Sequence, residues 1–358
     1  MKTGTAIEAL AADAAAQGAS DIHLDFDPDA VRVRLRVDGR LRAWVPARLQ
    51  PDRLRDAAWE VVDTGADRLL DWRVAAYADG EHLALRLRAD RAGMASDKLT
   101  DLGMAAAQAR LMVRSLERPG GAVVVAGRSG SGRRSTIASW IAGEARTLSI
   151  VAIGIEVPGA LAIAVAPQLP MRATIERALM LDPDILVLGD VPDRESAAVA
   201  FQVAAGGCRV LLRLDAPDAV AAIDRLRALG VDRLALASHL IAVTAQRLAD
   251  RLCPRCRQPV QASNAVAALL GFDPGAVIYE STGCGDCRGT GVIGRIGVFE
   301  GVAVDSAVAR LINDGADAAL LTRHLFLNAP RLDSAARSMV REGLIGATEA
   351  VRLSRGQR

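Results

Sequence analysis

Lysine is almost absent from this 358-residue chain: only Lys2 and Lys98 stand among its 44 basic residues. Arginine supplies the rest and alanine is abundant. That is the mark of coding bias, so one arginine in a lysine's place means little by itself. Net charge is scarce too. A formal +2, from 44 basic and 42 acidic residues, excludes the global field that would draw a chain onto nucleic acid or anionic lipid, and no nucleic-acid partner is expected. Long uncharged apolar runs are also missing. The best membrane-span candidate, Leu148 to Leu169, carries Glu156 near its middle and Pro158-Gly159 beyond it. A central carboxylate costs a few kcal/mol on insertion scales, so the run reads instead as buried strands of a parallel sheet. The N-terminal MKTGTAIEALAADAAAQGAS has acidic residues and no leucine-rich core, which argues against a secretory signal and for a cytoplasmic protein. There is no internal repeat and no low-complexity tract. What remains is 51% hydrophobic and long enough for two or three domains with cores of their own.

Hydrophobic patterning divides the chain. VRVRLRV, Val31 to Val37, alternates apolar and basic residues as a strand with one face on a core, and Asp38-Gly39 supplies a hairpin turn. A small α+β domain is expected over residues 1–90. The charged, Gly- and Ser-containing stretch from Arg88 to Lys98 reads as linker, with 91–104 the expected linker span. Beyond it a helix near Ala105 to Leu116, an apolar strand before Gly127, a helix from about Ser135 and a strand Ile185 to Leu188 alternate. That β/α series predicts a RecA-like core at 105–250, a parallel sheet with helices on both faces. A Cys- and Gly-rich insert at 251–300 and a mainly helical end at 301–358 complete the expected order.

Four of the five cysteines form two knuckles, Cys253-Pro-Arg-Cys256 and Cys284-Gly-Asp-Cys287, with 27 residues between them. Each knuckle offers two thiolates and the pairs complete a tetrahedron, the signature of structural zinc. A reducing compartment disfavours disulfides, and a redox role would call for one C-x-x-C beside a βαβ unit. Such a site is closed and staples a subdomain without catalysing anything. Cys208 stands apart and reads as a structural thiol.

The decapeptide GRSGSGRRST, residues 127–136, follows the apolar run Ala122 to Ala126. Gly127, Gly130 and Gly132, with Ser129 and Ser131 between them, suit a nest of backbone N–H groups at a helix N-terminus, an anion cradle. A nucleotide loop of this kind ends in Lys followed by Ser or Thr, the first for the β and γ phosphates and the second for Mg2+. Here those two positions hold Arg133 and Arg134. Arg133 brings a bulkier, planar fork, and Arg134 puts a cation where the metal's hydroxyl ligand should be. Ser135 is one residue too late, since a helix turns about 100° per residue.

SDIHLDF from Ser20, RVRLRVDG from Arg32, the loop at Gly127, LDPDILVLGD from Leu181, and AQRLADRLCPRC through GCGDCRGTGVIGRIGVFE occur in that order. In this the chain resembles the secretion ATPases of type II secretion and type IV pilus assembly over nearly its whole length. The resemblance implies an ATP-hydrolysing family, a ring that is usually hexameric, and inner-membrane platform proteins as partners. It also implies a further N-terminal platform-docking domain, which this chain is expected to lack. Residue by residue, the family's chemistry is thinned. The acidic box keeps only Glu156, in Ile155-Glu156-Val157-Pro158-Gly159-Ala160. The Walker B glutamate is Asp190, the arginine two residues on is Pro192, and the two box histidines are Cys208 and Asp215. Coding bias explains Arg133 but not these losses together. The arginines that in the family reach a nucleotide across a domain or subunit boundary match Arg32, Arg34, Arg36 and Arg73, although Arg32, Arg34 and Arg36 also fit the wet face of an alternating strand. Three readings follow. The first is a non-catalytic structural or regulatory ring subunit, alone or with an intact ATPase paralogue, peripheral at the cytoplasmic face of the inner membrane. The second is an atypical active ATPase in which Asp190 and Glu156 serve catalysis, and the third an adaptor whose cradle takes another phosphorylated ligand. The implied ligands are structural Zn2+ and ATP, with Mg2+ set against Arg134.

Overall fold

A computed structural model describes residues 5–27, 30–38, 40–45, 50–64, 68–69, 72–79, 82–89, 96, 98–142, 147–163, 165 and 169–355. The chain divides into two compact units, Met1–Gly93 and Met94–Arg358.

In the first unit the elements run α1 (Thr5–Ala16), β1 (Ala19–Asp27), β2 (Ala30–Val37), β3 (Arg40–Ala43), α2 (Pro51–Asp63), β4 (Arg68–Leu69), β5 (Trp72–Asp79) and β6 (His82–Ala89). The sheet order is β3-β2-β1-β6-β5-β4, with every neighbouring pair antiparallel. Strict alternation decides which face is dry. Ile22, Leu24 and Phe26 of β1 join Val33 and Leu35 of β2 and Leu83, Leu85 and Leu87 of β6 in one buried cluster. Ile7, Leu10, Ala11 and Ala14 of α1 and Leu54, Ala57, Ala58 and Val61 of α2 cover it. Asp38 takes a left-handed φ of 49° after β2, as the Asp-Gly turn requires, while Gly39 lies outside the described residues. Residues 91–95 and 97 of the expected linker lie outside them too. Leu99 and Met104, at its far end, are buried in the core of the second unit, with Leu99–Leu102 forming a 3-10 turn.

That unit continues with α3 (Ala106–Glu117), β7 (Gly121–Ala126), α4 (Arg133–Ile141), β8 (Ile150–Ile153), β9 (Leu161–Ile163), α5 (Met171–Leu179), β10 (Ile185–Leu188), α6 (Arg194–Ala205), β11 (Arg209–Leu214), α7 (Ala219–Ala228) and α8 (Arg233–His239). Then come β12 (Leu240–Leu252), β13 (Arg257–Gln261), α9 (Asn264–Leu270), β14 (Val277–Ser281), β15 (Val292–Ala303), α10 (Ser306–Asn313), α11 (Ala318–Leu325), α12 (Leu332–Arg341) and α13 (Ala347–Ser354). Seven strands form a sheet ordered β15-β12-β7-β11-β10-β8-β9, parallel throughout except for β15. Both faces are buried, which is why its strands read as continuous apolar runs. Ala122, Val124 and Ala126 of β7 face the cluster that includes Ala197, Ala200 and Phe201 of α6, whereas Val123 and Val125 face Ile137, Trp140 and Ile141 of α4. The run proposed as core at 148–169 supplies β8, and among the described residues no helix is long and apolar enough to cross a membrane.

The structure differs from the sequence reading after residue 240. Long β12 and β15 pair along most of their length, from Ala242↔Ala303 to Leu252↔Val292. Gly294, Gly297 and Gly301 in β15 hide it from a periodicity count, because an apolar pattern broken by glycine does not read as a strand. Packed on the far ends of these two strands is a lobe of its own, with Leu270 of α9, Ile278 of β14, Met339 of α12 and Leu353 of α13 in one cluster.

Candidate functional site

Parallel strands deliver their loops to one edge, and in this sheet the C-terminal edge gathers the motif residues. β7 runs into the loop 127–132, β11 ends at Leu214 beside Ala126, and β10 and β8 end level with each other at Leu188 and Ile153. Asp215, Asp190 and Glu156 therefore follow three neighbouring strands at the mouth of the loop.

The loop is built as the glycines predict. Gly127, Gly130 and Gly132 have φ of 154°, 81° and 92°, and Gly132 caps α4. At Gly127 space is as restrictive as backbone angle: a Cβ there would lie 2.3 Å from Ser131 Oγ and 2.8 Å from the Gln246 carbonyl oxygen. Below the loop, Gln246 Nε2 donates to the Ser131 carbonyl at 2.8 Å. Ser131 Oγ and Gln246 Oε1 are buried there without a partner. Ser129 and Ser135 are exposed.

The two arginines that follow each meet an acidic residue from a neighbouring strand end. Arg134 Nε donates to the Glu156 carbonyl at 2.9 Å, and its terminal nitrogen stands 3.5 Å from Glu156 Oε2. Glu156, the carboxylate expected to serve catalysis, is thus bound to Arg134. Mg2+ requires near-octahedral oxygens at about 2.0–2.1 Å, and a guanidinium on the same carboxylate does not fit it. Arg133 is only 12% exposed, with its terminal nitrogen 3.8 Å from Asp215 Oδ2. Burial pushes its pKa below the ordinary arginine value, and the charge of Arg213 acts the same way, while Asp215 and Asp190 oppose both. Asp190 accepts from the N–H of Val191 at 3.0 Å and is otherwise open to solvent. Cys208 lies farther off, at the start of β11, where its thiol approaches the Pro183 carbonyl at 3.3 Å and burial pushes it up to about 11.

Arg213 is the residue the sequence reading missed. It sits in β11 opposite Val125 of β7, and its alternation partner Leu211 lies in the α4-side cluster. Burial pushes its pKa down, with Asp190 opposing. An arginine in the otherwise apolar run Val210 to Leu214 was the available signal.

In the first unit the arginines of β2 each find a carboxylate on β1. Arg32 pairs with Asp27, Arg34 with Asp25 at 2.7 Å, and Arg36 with Asp21 at 3.7 Å. Asp21 also accepts from Arg86 at 2.7 Å. These are cross-strand charge pairs on a partly solvated sheet face, each contributing about 0–1 kcal/mol. To serve a nucleotide elsewhere, an arginine would first have to leave its carboxylate. Arg73 lies on β5 opposite Arg68, and its side chain is outside the described set.

The four knuckle cysteines converge, with all Sγ atoms within 4.8 Å of one another. Cys253 and Cys284 are 3.8 Å apart, Cys256 and Cys287 3.8 Å, and Cys284 and Cys287 3.7 Å. Cys287 Sγ accepts from the N–H of Cys284 at 3.1 Å and of Gly291 at 3.2 Å. Burial resists ionisation of that thiol, but the donors prevail and draw it down to about 6. Such a cluster could hold a metal ion.

Comparison with known proteins places this arrangement. The sequence model described as Type II/IV secretion system protein matches residues 62–352. Type II secretion system protein E of Pseudomonas aeruginosa is 32% identical over 98% of this chain and 75% of its own length. Type II secretion system ATPase E of Vibrio cholerae is 30% identical over the same shares, 98% and 75%. Among solved structures, the ATPase DotB of Legionella pneumophila superposes with a TM-score of 0.68 at 17% identity, over 99% of this chain and 96% of that one, a likeness of fold.

Proposed function

Because the chain belongs to the type II/IV secretion system protein family, we propose that it is a non-catalytic ring subunit of a type II secretion or type IV pilus assembly machine. In this reading it works at the cytoplasmic face of the inner membrane, in a ring with copies of itself or with an intact ATPase paralogue, against platform proteins. The observation that carries the reading is the Arg134–Glu156 contact, which fills the metal's position with a guanidinium. Without Mg2+, the γ-phosphate loses its main electrostatic stabiliser in a reaction that depends almost wholly on positioning and charge. Pro192, Cys208 and Asp215 offer no replacement donor of the family's kind.

The retained glycine cradle favours a second reading, an atypical ATPase in which Asp190 polarises water and Arg133 holds phosphate. Phosphate release by the purified protein in Mg-ATP decides between them. Background release supports the ring subunit, and steady release abolished by Asp190→Ala sinks it.

For the cysteine cluster we propose zinc. A tetrahedron of thiolates at the Zn–S distance of about 2.3 Å has edges of about 3.8 Å, and three of the sulfur pairs stand at 3.7 to 3.8 Å. Cys253, Cys256, Cys284 and Cys287 would hold the ion in a closed shell, with no position left for substrate. Its contribution is to bind the lobe together.

A further inference from the structure

We infer that Arg133 and Arg213, with the glycine cradle, form a phosphate clamp that binds nucleotide free of divalent metal, so that magnesium competes with the protein for ATP instead of assisting it. The inference rests on the non-catalytic reading of the same pocket and names its ligand.

Two partly buried arginines serve the same edge and the same face of the sheet: Arg133 is the first residue of α4, and Arg213 is at the β11 position level with Val125, alternating with Leu211 on the α4 side. Neither makes a hydrogen bond to a carboxylate among the described residues. Asp215 stands 3.8 Å from Arg133, within ion-pair distance but beyond hydrogen-bond reach, and among the described residues no acid forms an ion pair with Arg213. Asp215 and Asp190 offset only part of the cost of placing two like charges away from bulk water, since burial still prevails at both arginines, and a further anion would offset the rest. Inside the loop beside them Ser131, 7% exposed, keeps a buried hydroxyl with no partner. The backbone cradle favours negative charge as well. An anion with several oxygens, offered to two planar forks and a ring of N–H donors, is a phosphate chain. Arg134 explains the absence of metal from this scheme. Held against Glu156, it supplies the positive charge that the cation would bring and occupies its carboxylate. Magnesium already bound to ATP would cover the oxygens the arginines require and bring a second cation toward Arg134.

The test is equilibrium binding of ATP to the full chain, once in EDTA and once in excess magnesium. Binding in EDTA that weakens several-fold in magnesium is the expected result. Tighter binding with magnesium, or none in either condition, overturns the inference. Arg213→Ala should lose about tenfold in EDTA, the worth of one charge-assisted fork, and Arg213→Lys should recover part of it. Circular dichroism melts establish that both variants are folded, and unchanged affinity in a folded Arg213→Ala removes Arg213 from the site. Inorganic phosphate displacing ATP at equal concentration would overturn the nucleotide as ligand. Turnover of Mg-ATP by the same sample bears on the non-catalytic reading alone, so the two failures are distinguishable.

Discussion

In the proposed reading, two side chains govern the chemistry of the cradle. Replacing Arg134 by Thr puts a hydroxyl where the family resemblance implies a metal ligand and takes the guanidinium off Glu156, and Arg133→Lys supplies a compact ammonium. The double variant is expected to bind Mg-ATP more tightly than the native chain while releasing phosphate little faster, because Cys208, Asp215 and Pro192 remain. Robust turnover by the double variant would show that those three positions do not matter. Gly127 bears the geometry of the loop. Gly127→Ala would force a Cβ to within 2.3 Å of Ser131 Oγ and 2.8 Å of the Gln246 carbonyl, a clash with backbone that costs about 1–3 kcal/mol. Denaturant melts measure that loss, and a midpoint equal to that of the native protein would contradict the packing described here.

At the level of elements, one carboxylate ties the sheet to two helices. Glu300 of β15 is 2% exposed, and its oxygens accept from the N–H of Ala219 at 2.7 Å and of Leu332 at 3.0 Å, the first residues of α7 and α12. Burial raises its pKa above the ordinary 4.5, even though both N–H donors act to lower it. The folded state therefore holds this proton more tightly than the unfolded chain. Its contribution to stability is full below about 4.5 and is lost as pH rises through the folded value. Glu300→Gln removes that dependence and leaves one helix N-terminus facing an amide nitrogen. The native protein's margin over Glu300→Gln should therefore shrink as pH rises from 4.5, read from denaturant melts at several pH values. A margin that grows across that window would refute the assignment.

For the molecule as a whole, the proposed zinc holds the lobe that β12 and β15 carry beyond the C-terminal edge of the sheet, and not the parallel strands themselves. Strong chelation, or Cys284→Ser, is expected to release one zinc per chain and to strip hydrogen-exchange protection from β13, β14 and α9. The parallel strands β7, β10 and β11 should keep theirs, since their buried clusters contain no cysteine ligand. Metal analysis finding no zinc in native protein, or a core that melts together with the lobe, would reject this division. A ring needs surfaces as well as a fold, and the charged face of β1 and β2 already balances itself, Asp25 against Arg34 and Asp21 against Arg36 and Arg86.

Much of this was legible without coordinates. Alternation gave β2, a continuous apolar run gave β7, the glycine spacing gave the cradle, and paired C-x-x-C knuckles gave the sulfur cluster, because each depends on neighbours in the chain or on one fixed spacing. Glycine hid β15, and the end of the expected linker proved to be core once Leu99 and Met104 found partners far along the chain. Sequence alone put Arg133 and Arg134 at the end of a glycine loop, where the family resemblance implies a lysine and a hydroxyl. Only the tertiary structure decided where their charges go, Arg134 to Glu156 and Arg133 to Asp215. The reason is physical: Glu156 and Asp215 follow different strands, β8 and β11, and the parallel sheet brings them to the loop through a register no local pattern encodes.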